Sequence, residues 1–243
     1  MDKSSYYQNV HADSALDDVP PDWSIILKLA YVEQQFAPEG RYGAIAKVLK
    51  SNRPVGALLE IGCGLGETAA WMTRYAQIVE GRDIWLQSAL KLPQKLALSF
   101  AEMDADEPWQ LSDRSFDVVV AMMVLEHVFD PFHFVGECAR VLKKDGKLFL
   151  NVPLISFYRH RFDVLLGRVP TTSAPGWFER GTWDGAHIHY FNLPMLSRLL
   201  AGAGLVINKK FAVGRMRHFK QLWPSMLCGE ISVLVTHADA GKL

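Results

Sequence analysis

The chain has 243 residues, of which 49% are hydrophobic and 21% are charged, proportions typical of a globular protein with a buried core. Its 26 basic and 26 acidic residues give a formal net charge of zero, so no overall field draws the protein to nucleic acid. The three cysteines are far apart and form no metal or disulfide motif, which favours a reducing, cytoplasmic location. We expect no signal peptide and no stable membrane insertion, because the N-terminus is polar and every apolar run is short. The oligomeric state is left open.

The first 54 residues are predicted to form an N-terminal arm and two helices that act as a lid. The helices are expected over Trp23–Phe36 and Arg41–Lys50. Pro38 and Gly40 separate them, since both residue types interrupt helices.

From Val55 onward the pattern changes to strands that alternate with helices. The predicted elements are strand Ala57–Ile61, helix Glu67–Ala76, strand Gln77–Ile84, helix Trp85–Leu92, strands Leu96–Glu102 and Phe116–Met122, helix Pro131–Leu142, a turn at Asp145-Gly146 and strand Lys147–Val152. Such alternation indicates parallel βαβ units with right-handed crossovers.

Residues 153–191 break the alternation and are expected to form a cap segment. They are rich in aromatic residues and arginines, and a long segment of this kind inside a domain is usually functional. The arginines are suited either to an anionic acceptor or to a solvated cap face with the aromatic side chains packed inward. Helix Leu193–Ala203 and strands Leu205–Val213 and Glu230–Thr236 follow the segment.

A glycine-rich turn after the first predicted strand is the most informative motif. Gly62, Gly64 and Gly66 follow an apolar strand and lead into a helix. Glycines allow close backbone approach to a ligand, and open parallel sheets bind ligands beyond the carboxyl ends of their strands. The spacing differs from the dinucleotide pattern G-x-G-x-x-G, because Glu67 stands where the third glycine would be. A carboxylate there opposes a pyrophosphate but is compatible with a ligand that carries ammonium and sulfonium groups.

Two acidic residues follow the next two predicted strands. Asp83 lies about twenty residues after the glycines, where a carboxylate accepts hydrogen bonds from ribose hydroxyls. This position does not distinguish a nicotinamide dinucleotide from S-adenosylmethionine, since both contain an adenosine ribose. Asp104 is placed to accept from an adenine amino group, with the Ala105 backbone nearby; a solvated acidic loop is the alternative.

With these signals in order, the chain resembles the class I S-adenosylmethionine-dependent methyltransferases. The likeness runs from about Val55 to Val213 and includes the segments Ser115–Val119, Val124–Val128, Ala139–Lys143, Asp145–Leu148 and His187–Phe191. It implies an α/β fold with a doubly wound, mostly parallel seven-stranded sheet, a reversed terminal hairpin, helices on both faces and a cap insertion after strand 5. It also implies that residues 55–243 form the S-adenosylmethionine-binding domain.

The resemblance implies a role for each candidate cofactor residue. Glu60, Gly62, Gly64 and Gly66 are assigned to the methionine end, Asp83 and its neighbour Ile84 to the ribose, Asp104 and Ala105 to the adenine, and Met122 with Met123 to the length of the cofactor. The cap region also resembles a methyltransferase-related protein of methionine biosynthesis and methyltransferases that modify sugars or lipids.

Two histidines are candidates for the catalytic base. An oxygen acceptor must lose a proton, and histidine is the side chain best suited to accept one near neutral pH. His187 ends the cap segment and is the first candidate, and His127 follows the fourth strand and is the second. A purely structural role is the alternative for each. No metal is predicted, because His187-x-His189 has no cysteine or evident carboxylate partner.

The sequence therefore predicts a methyltransferase that transfers a methyl group from S-adenosylmethionine to a small molecule. The acceptor is expected to be an anionic metabolite, sugar or lipid precursor, and oxygen the acceptor atom. A non-catalytic regulatory protein that binds the cofactor is one alternative. An NAD(P)-dependent oxidoreductase is another, disfavoured by the glycine spacing and by Glu67. No nucleic-acid substrate is expected, since no asparagine-proline-proline-tyrosine motif follows the fourth strand.

Overall fold

A computed structural model describes residues 32–51, 55–86, 97–173 and 181–240. Residues 32–36 are helical. The elements that follow are α1 Gly43–Ser51, β1 Val55–Ile61, α2 Glu67–Met72, β2 Ala76–Asp83, β3 Leu98–Glu102, β4 Phe116–Met122, α3 Pro131–Val141, β5 Leu142–Pro153, α4 Tyr158–Leu165, a 3-10 turn Trp183–Ala186, α5 Leu193–Gly202, β6 Leu205–Ala212, α6 Arg217–Lys220, α7 Pro224–Leu227 and β7 Glu230–His237.

In the described ranges the strands form one seven-stranded sheet in the order β3-β2-β1-β4-β5-β7-β6. Strands β1 to β5 are parallel to one another, whereas β7 is antiparallel to both β5 and β6. The mostly parallel sheet with a reversed terminal hairpin is therefore confirmed. The chain leaves β1 toward β2 on one side and later returns to β4 on the other. The crevice beyond the carboxyl ends of β1 and β4 is where such sheets bind ligands.

Helices cover both faces of the sheet. Adjacent residues of a strand point to opposite sides, so consecutive side chains pack against different helices. Leu58 packs on the face that α1 and α2 cover, together with Leu49 and Met72. Leu59 packs on the opposite face with Phe134 of α3 and Leu196 of α5. These side chains are almost wholly buried, so the sheet is the middle of three layers and its central strand β1 is apolar on both faces.

Three predicted boundaries are wrong. Strand β5 begins at Leu142 instead of Lys147, so Asp145-Gly146 lies within the strand, beside a register shift between Phe116 and Val118. Helix α2 ends at Met72, because Ala76 already pairs with Val55 in the sheet. Residues 85–86 are not helical, and the rest of that predicted helix lies outside the described residues.

The segment between β5 and α5 is more regular than its weak periodicity indicates. It contains helix α4, none of whose side chains is buried, and a short 3-10 turn. The predicted arm and residues 174–180 lie outside the described residues. The boundary after residue 54, the lid and the cap therefore stay predictions. None of the helices in the described ranges is long and apolar enough to cross a bilayer.

Candidate functional site

The carboxyl ends of four neighbouring strands bring the predicted cofactor residues to one edge of the sheet. Strands β3, β2, β1 and β4 end at Glu102, Asp83, Ile61 and Met122. Three strand spacings separate the outer two, a width of about 14 Å. This edge is long enough for an extended adenosyl amino acid, and all the predicted contacts lie on or directly after these four ends.

The glycine loop joins β1 to α2 in a conformation that favours glycine. Gly62, Gly64 and Gly66 have φ angles of 71°, 52° and 81°, a region that costs other residues roughly 1 kcal/mol or more. A Cβ on Gly62 would lie 2.3 Å from Val124 Cγ2, whereas a Cβ on Gly64 would meet no atom within 4 Å. Gly62 is thus required by packing, and Gly64 faces open space at the sheet edge.

Glu60 is a buried carboxylic acid directly before the glycine loop. Its side chain is 1% exposed, and its Oε1 accepts hydrogen bonds from Tyr42 Oη at 2.8 Å and Thr68 Oγ1 at 2.7 Å. Oε2 is buried without a hydrogen-bond partner among the described residues. Burial raises the pKa of Glu60 to about 7, and the hydrogen bonds from Thr68 and Tyr42 oppose the rise. A buried oxygen without a donor is costly, so this position suits a cationic group.

Asp83 is tied to the glycine loop through the backbone. Its Oδ2 accepts from Gly64 N at 2.7 Å and its Oδ1 from Trp85 N at 3.1 Å. These two contacts orient the Asp83 side chain at the end of β2, beside the glycine loop. Ile84 follows Asp83 directly and is half-buried.

Asp104 and Ala105 form a turn after β3. Asp104 is half-buried and its Oδ1 accepts from Asp106 N at 3.0 Å, a local turn that this residue type favours. The Ala105 carbonyl accepts from the Trp109 indole at 3.2 Å. The turn is therefore held from within the protein.

His127 and His187, the candidate bases, lie against each other although they come from different segments. Their ring centroids are 4.8 Å apart and the rings are inclined by 72°. His127 Nδ1 lies 3.1 Å from the Ala186 carbonyl oxygen. Because a carbonyl only accepts, Nδ1 carries a proton, and Nε2 is the ring nitrogen that can accept one.

A carboxylate network fixes the tautomer of His187. Asp184 accepts from the backbone and hydroxyl groups of Thr172 and Ser173. Burial alone would raise the pKa of Asp184, but these hydrogen bonds outweigh it and lower the pKa. The Thr172 hydroxyl donates to ionised Asp184 and accepts from His187 Nδ1 at 2.7 Å. Burial lowers the pKa of His187, against the field of Asp184, so its Nε2 carries a lone pair.

Glu126 lies beside both histidines and connects their two segments. Its backbone oxygen accepts from Ile188 N at 2.9 Å and His189 N at 3.1 Å. Its side chain is fully buried, Oε1 lies 4.0 Å from His187 Nε2, and neither carboxylate oxygen has a hydrogen-bond partner in the described part of the chain. Burial raises the pKa of Glu126 to about 8.

Four residues at this edge were not identified from the sequence as site residues. Glu126 carries a detectable signal, because a charged residue stands among apolar ones in the Val124–Val128 segment. Tyr42, Thr172 and Asp184 carry none, since each contacts a residue distant in the sequence. His189, the other half of the His-x-His pair, turns away and places its Nε2 3.2 Å from the Phe129 oxygen.

Comparison with known proteins agrees with this geometry. A family model described as a methyltransferase domain matches residues 33–210, well over half of the chain. The chain is 33% identical over 138 residues to a ubiquinone biosynthesis O-methyltransferase of Paracidovorax citrulli, covering 54% of this chain and 56% of that protein. It is 35% identical over 156 residues to the Idiomarina loihiensis protein of the same name, covering 61% and 60%. The matches thus span less than two thirds of these relatives.

Solved structures share the fold. An S-adenosylmethionine-dependent methyltransferase from Mesorhizobium loti matches with a TM-score of 0.58 at 16% identity, covering 79% of this chain and 97% of that one. The trans-methyltransferase CalH, solved with SAH, matches with a TM-score of 0.54 at 18% identity, covering 80% and 55%. A buried carboxylate with an unpartnered oxygen and an open glycine loop fit the ammonium and main chain of such a cofactor. The chain belongs to the methyltransferase-domain family.

Proposed function

We propose that the protein transfers the methyl group of S-adenosylmethionine to a hydroxyl oxygen of a small molecule. The observation that carries the proposal is the pair of imidazoles, His187 and His127, which meet near the edge expected to hold the cofactor and whose Nδ1 atoms each face an oxygen acceptor, so that Nε2 is the nitrogen oriented to take a proton. An oxygen acceptor needs a base to remove its proton, whereas an unprotonated amine, which is more basic, needs none. The names of the two relatives described above support an oxygen acceptor.

The cofactor is proposed to lie along the edge from β1 to β3. Glu60 Oε2 pairs with the ammonium group, and the backbone of Gly62, Gly64 and Gly66 contacts the methionine portion. Asp83, with Ile84, accepts from the ribose hydroxyls, Asp104 and Ala105 contact the adenine, and Met122 lies along the ligand. Support comes from the unpartnered Glu60 oxygen and from the open space at Gly64.

His187 is proposed to accept the proton of the acceptor hydroxyl, with His127 as the second candidate. When bound, S-adenosylmethionine supplies an electrophilic methyl group on a positively charged sulfur. The hydroxyl proton passes to Nε2, the oxygen forms a bond to the methyl carbon, and the carbon–sulfur bond breaks. Thr172 and Asp184 position His187, because they hold its Nδ1 and so keep Nε2 available.

The acceptor class is proposed from the relatives and from the exposed surface of α4. A hydroxyl-bearing precursor of a quinone is the first candidate, by the names of the relatives. Arg159, Arg161 and Arg168 are exposed around α4, which is compatible with an anionic metabolite or with an acidic sugar or lipid precursor. We also propose a cytoplasmic location, supported by three free and buried cysteines.

The test is product formation from a panel of hydroxyl acceptors. The untagged protein is incubated with methyl-labelled S-adenosylmethionine and quinone precursors, sugars or acidic lipid precursors, and products are identified by mass spectrometry. With the best acceptor, His187→Ala is expected to lower kcat by about a hundredfold, as loss of a general base does. His189→Ala is the matched control and should keep wild-type kcat, because its Nε2 contacts the Phe129 oxygen.

Two results would replace the proposal. Binding of S-adenosylhomocysteine without a methylated product from any acceptor would favour the regulatory alternative. Methyl transfer to nitrogen or carbon, with unchanged kcat in His187→Ala, would remove the hydroxyl acceptor and the base. Family membership already favours methyl transfer over the oxidoreductase alternative.

A further inference from the structure

Three metal-ligating side chains meet beside the histidine pair. One carboxylate oxygen of Glu126 and one ring nitrogen each of His127 and His187 lie within 4.8 Å of one another. Glu126 and His127 follow β4, and His187 ends the segment before α5. The sequence offered no such prediction, because the third residue is distant in the chain and the His-x-His pair divides in the fold.

Both histidines are oriented as metal ligands are. A ligating imidazole commonly donates one ring N–H to a carbonyl, carboxylate or other acceptor and binds the metal through the other nitrogen. His127 Nδ1 donates to the Ala186 carbonyl oxygen, and His187 Nδ1 donates to the Thr172 hydroxyl, which Asp184 orients. In this orientation Nε2 is the ring nitrogen of each histidine that can face a cation beside Glu126.

The carboxylate supplies a second and independent observation. Glu126 is 0% exposed, and neither of its oxygens has a hydrogen-bond partner among the residues that the structure describes. Its Oε1 is 4.0 Å from His187 Nε2. Neighbouring ligands of a cation bound at about 2.1 Å lie roughly 3.0–3.5 Å apart. The three ligand atoms here lie within 4.8 Å of one another, so relative side-chain shifts of up to about 2 Å close the set.

We propose that Glu126, His127 and His187 bind one divalent transition-metal cation through a carboxylate oxygen and two Nε2 atoms. Two imidazoles with one carboxylate are a donor set for Zn²⁺, Fe²⁺ or Co²⁺, whereas Mg²⁺ and Ca²⁺ prefer oxygen ligands throughout. Three protein ligands leave at least one position for water or for an oxygen of the acceptor.

The cation refines the chemistry of the acceptor, and this part rests on the proposed function. A hydroxyl bound to a divalent cation loses its proton far more readily than a free hydroxyl does. The proton leaves to solvent, the oxygen bonds to the methyl carbon, and the carbon–sulfur bond breaks. With the cation bound, both histidines act through it and no longer accept the proton themselves, since each Nε2 serves only one role at a time.

Cobalt provides a readout that is independent of activity. The untagged protein is treated with a chelator, transferred to metal-free buffer and titrated with Co²⁺ while its visible absorption is recorded. We expect one equivalent to bind with the ligand-field absorption of a nitrogen-containing site and to be displaced by Zn²⁺. His187→Ala and Glu126→Gln should each weaken Co²⁺ binding at least tenfold, whereas His189→Ala should bind as the wild type does. Circular dichroism establishes that each variant is folded, and His127→Gln replaces any that is not.

The outcomes separate the two proposals. Absorption of hexa-aqua cobalt alone, or equal Co²⁺ affinity in wild type and His187→Ala, would overturn the metal site. If methylation persists in the presence of chelator and still requires His187, the cation has no catalytic role. His187 would then remain the residue that accepts the proton. Co²⁺ binding that requires all three ligands, in a protein that methylates no hydroxyl acceptor, would retain the site and refute the proposed function.

Discussion

Glu60→Gln is expected to remove a pH dependence of the free energy of unfolding that arises from burial of this side chain. Burial raises the pKa of Glu60 to about 7, against about 4.3 for an exposed glutamate. The folded state therefore keeps a proton that the unfolded state releases. Stability falls as the pH rises from about 4.3 to about 7 and is level with respect to this group above that range. The difference amounts to about 4 kcal/mol over the whole range.

The assay is urea unfolding of both proteins between pH 5 and pH 8. The wild type should lose about 2 to 3 kcal/mol relative to Glu60→Gln over this interval. The titratable groups that face Glu60 are Tyr42, Cys63, Glu67 and Asp83, and the variant retains them all. Their contributions largely cancel in the difference, as does any constant cost of the unpartnered amide.

Ligand binding reverses the effect, because an ammonium beside Glu60 favours the carboxylate. At pH 6, binding of S-adenosylhomocysteine should release close to one proton from the wild type and close to none from Glu60→Gln. Calorimetry in two buffers of different ionisation enthalpy measures this release. Parallel pH profiles for the two proteins, with equal proton release, would refute the placement of the ammonium at this carboxyl.

Three further substitutions test the local geometry. Gly62→Ala should destabilise the fold by about 2 to 4 kcal/mol in urea, because its Cβ would lie 2.3 Å from Val124 Cγ2 at a φ of 71°. Asp184→Asn keeps the shape but weakens hydrogen bonds from two residues; we expect a loss of about 2 kcal/mol in the same assay, and no loss would contradict the network. The Asp130 side chain caps α3 by accepting hydrogen bonds from the backbone N–H groups of residues 132 and 133. In thermal unfolding, Asp130→Ala should therefore lower the free energy of unfolding by about 1 kcal/mol.

The alternation of strands and helices was sufficient to predict the sheet, because the central strands β1 and β4 are short apolar runs and the other strands alternate with helical segments. The predicted element boundaries were wrong where strand pairing overrode the local sequence pattern. Asp145-Gly146 is a favourable turn dipeptide, but β5 runs through it beside the register shift in β4. Ala76 has good helix propensity, yet it pairs with Val55 in the sheet.

The candidate cofactor residues could be located from the sequence because each follows a strand end within a few residues. The residues on the acceptor side of the site were harder to predict from the sequence. His127 and His187 were identified singly, but their contact at 4.8 Å depends on how the segment after β5 folds back. The Asp184 network and the burial of Glu126 likewise arise from long-range packing, which periodicity and spacing do not encode.

The most direct test of the central claim is calorimetric titration of S-adenosylhomocysteine into the wild type and Gly64→Ala. A Cβ at Gly64 meets no protein atom within 4 Å, so the variant should lose only about 1 kcal/mol of stability from its positive φ. The expected result is stoichiometric binding to the wild type and at least tenfold weaker binding to the folded variant, because the methyl group enters the space proposed for the ligand. Equal affinity in the two proteins would contradict the proposed placement of the cofactor at the glycine loop.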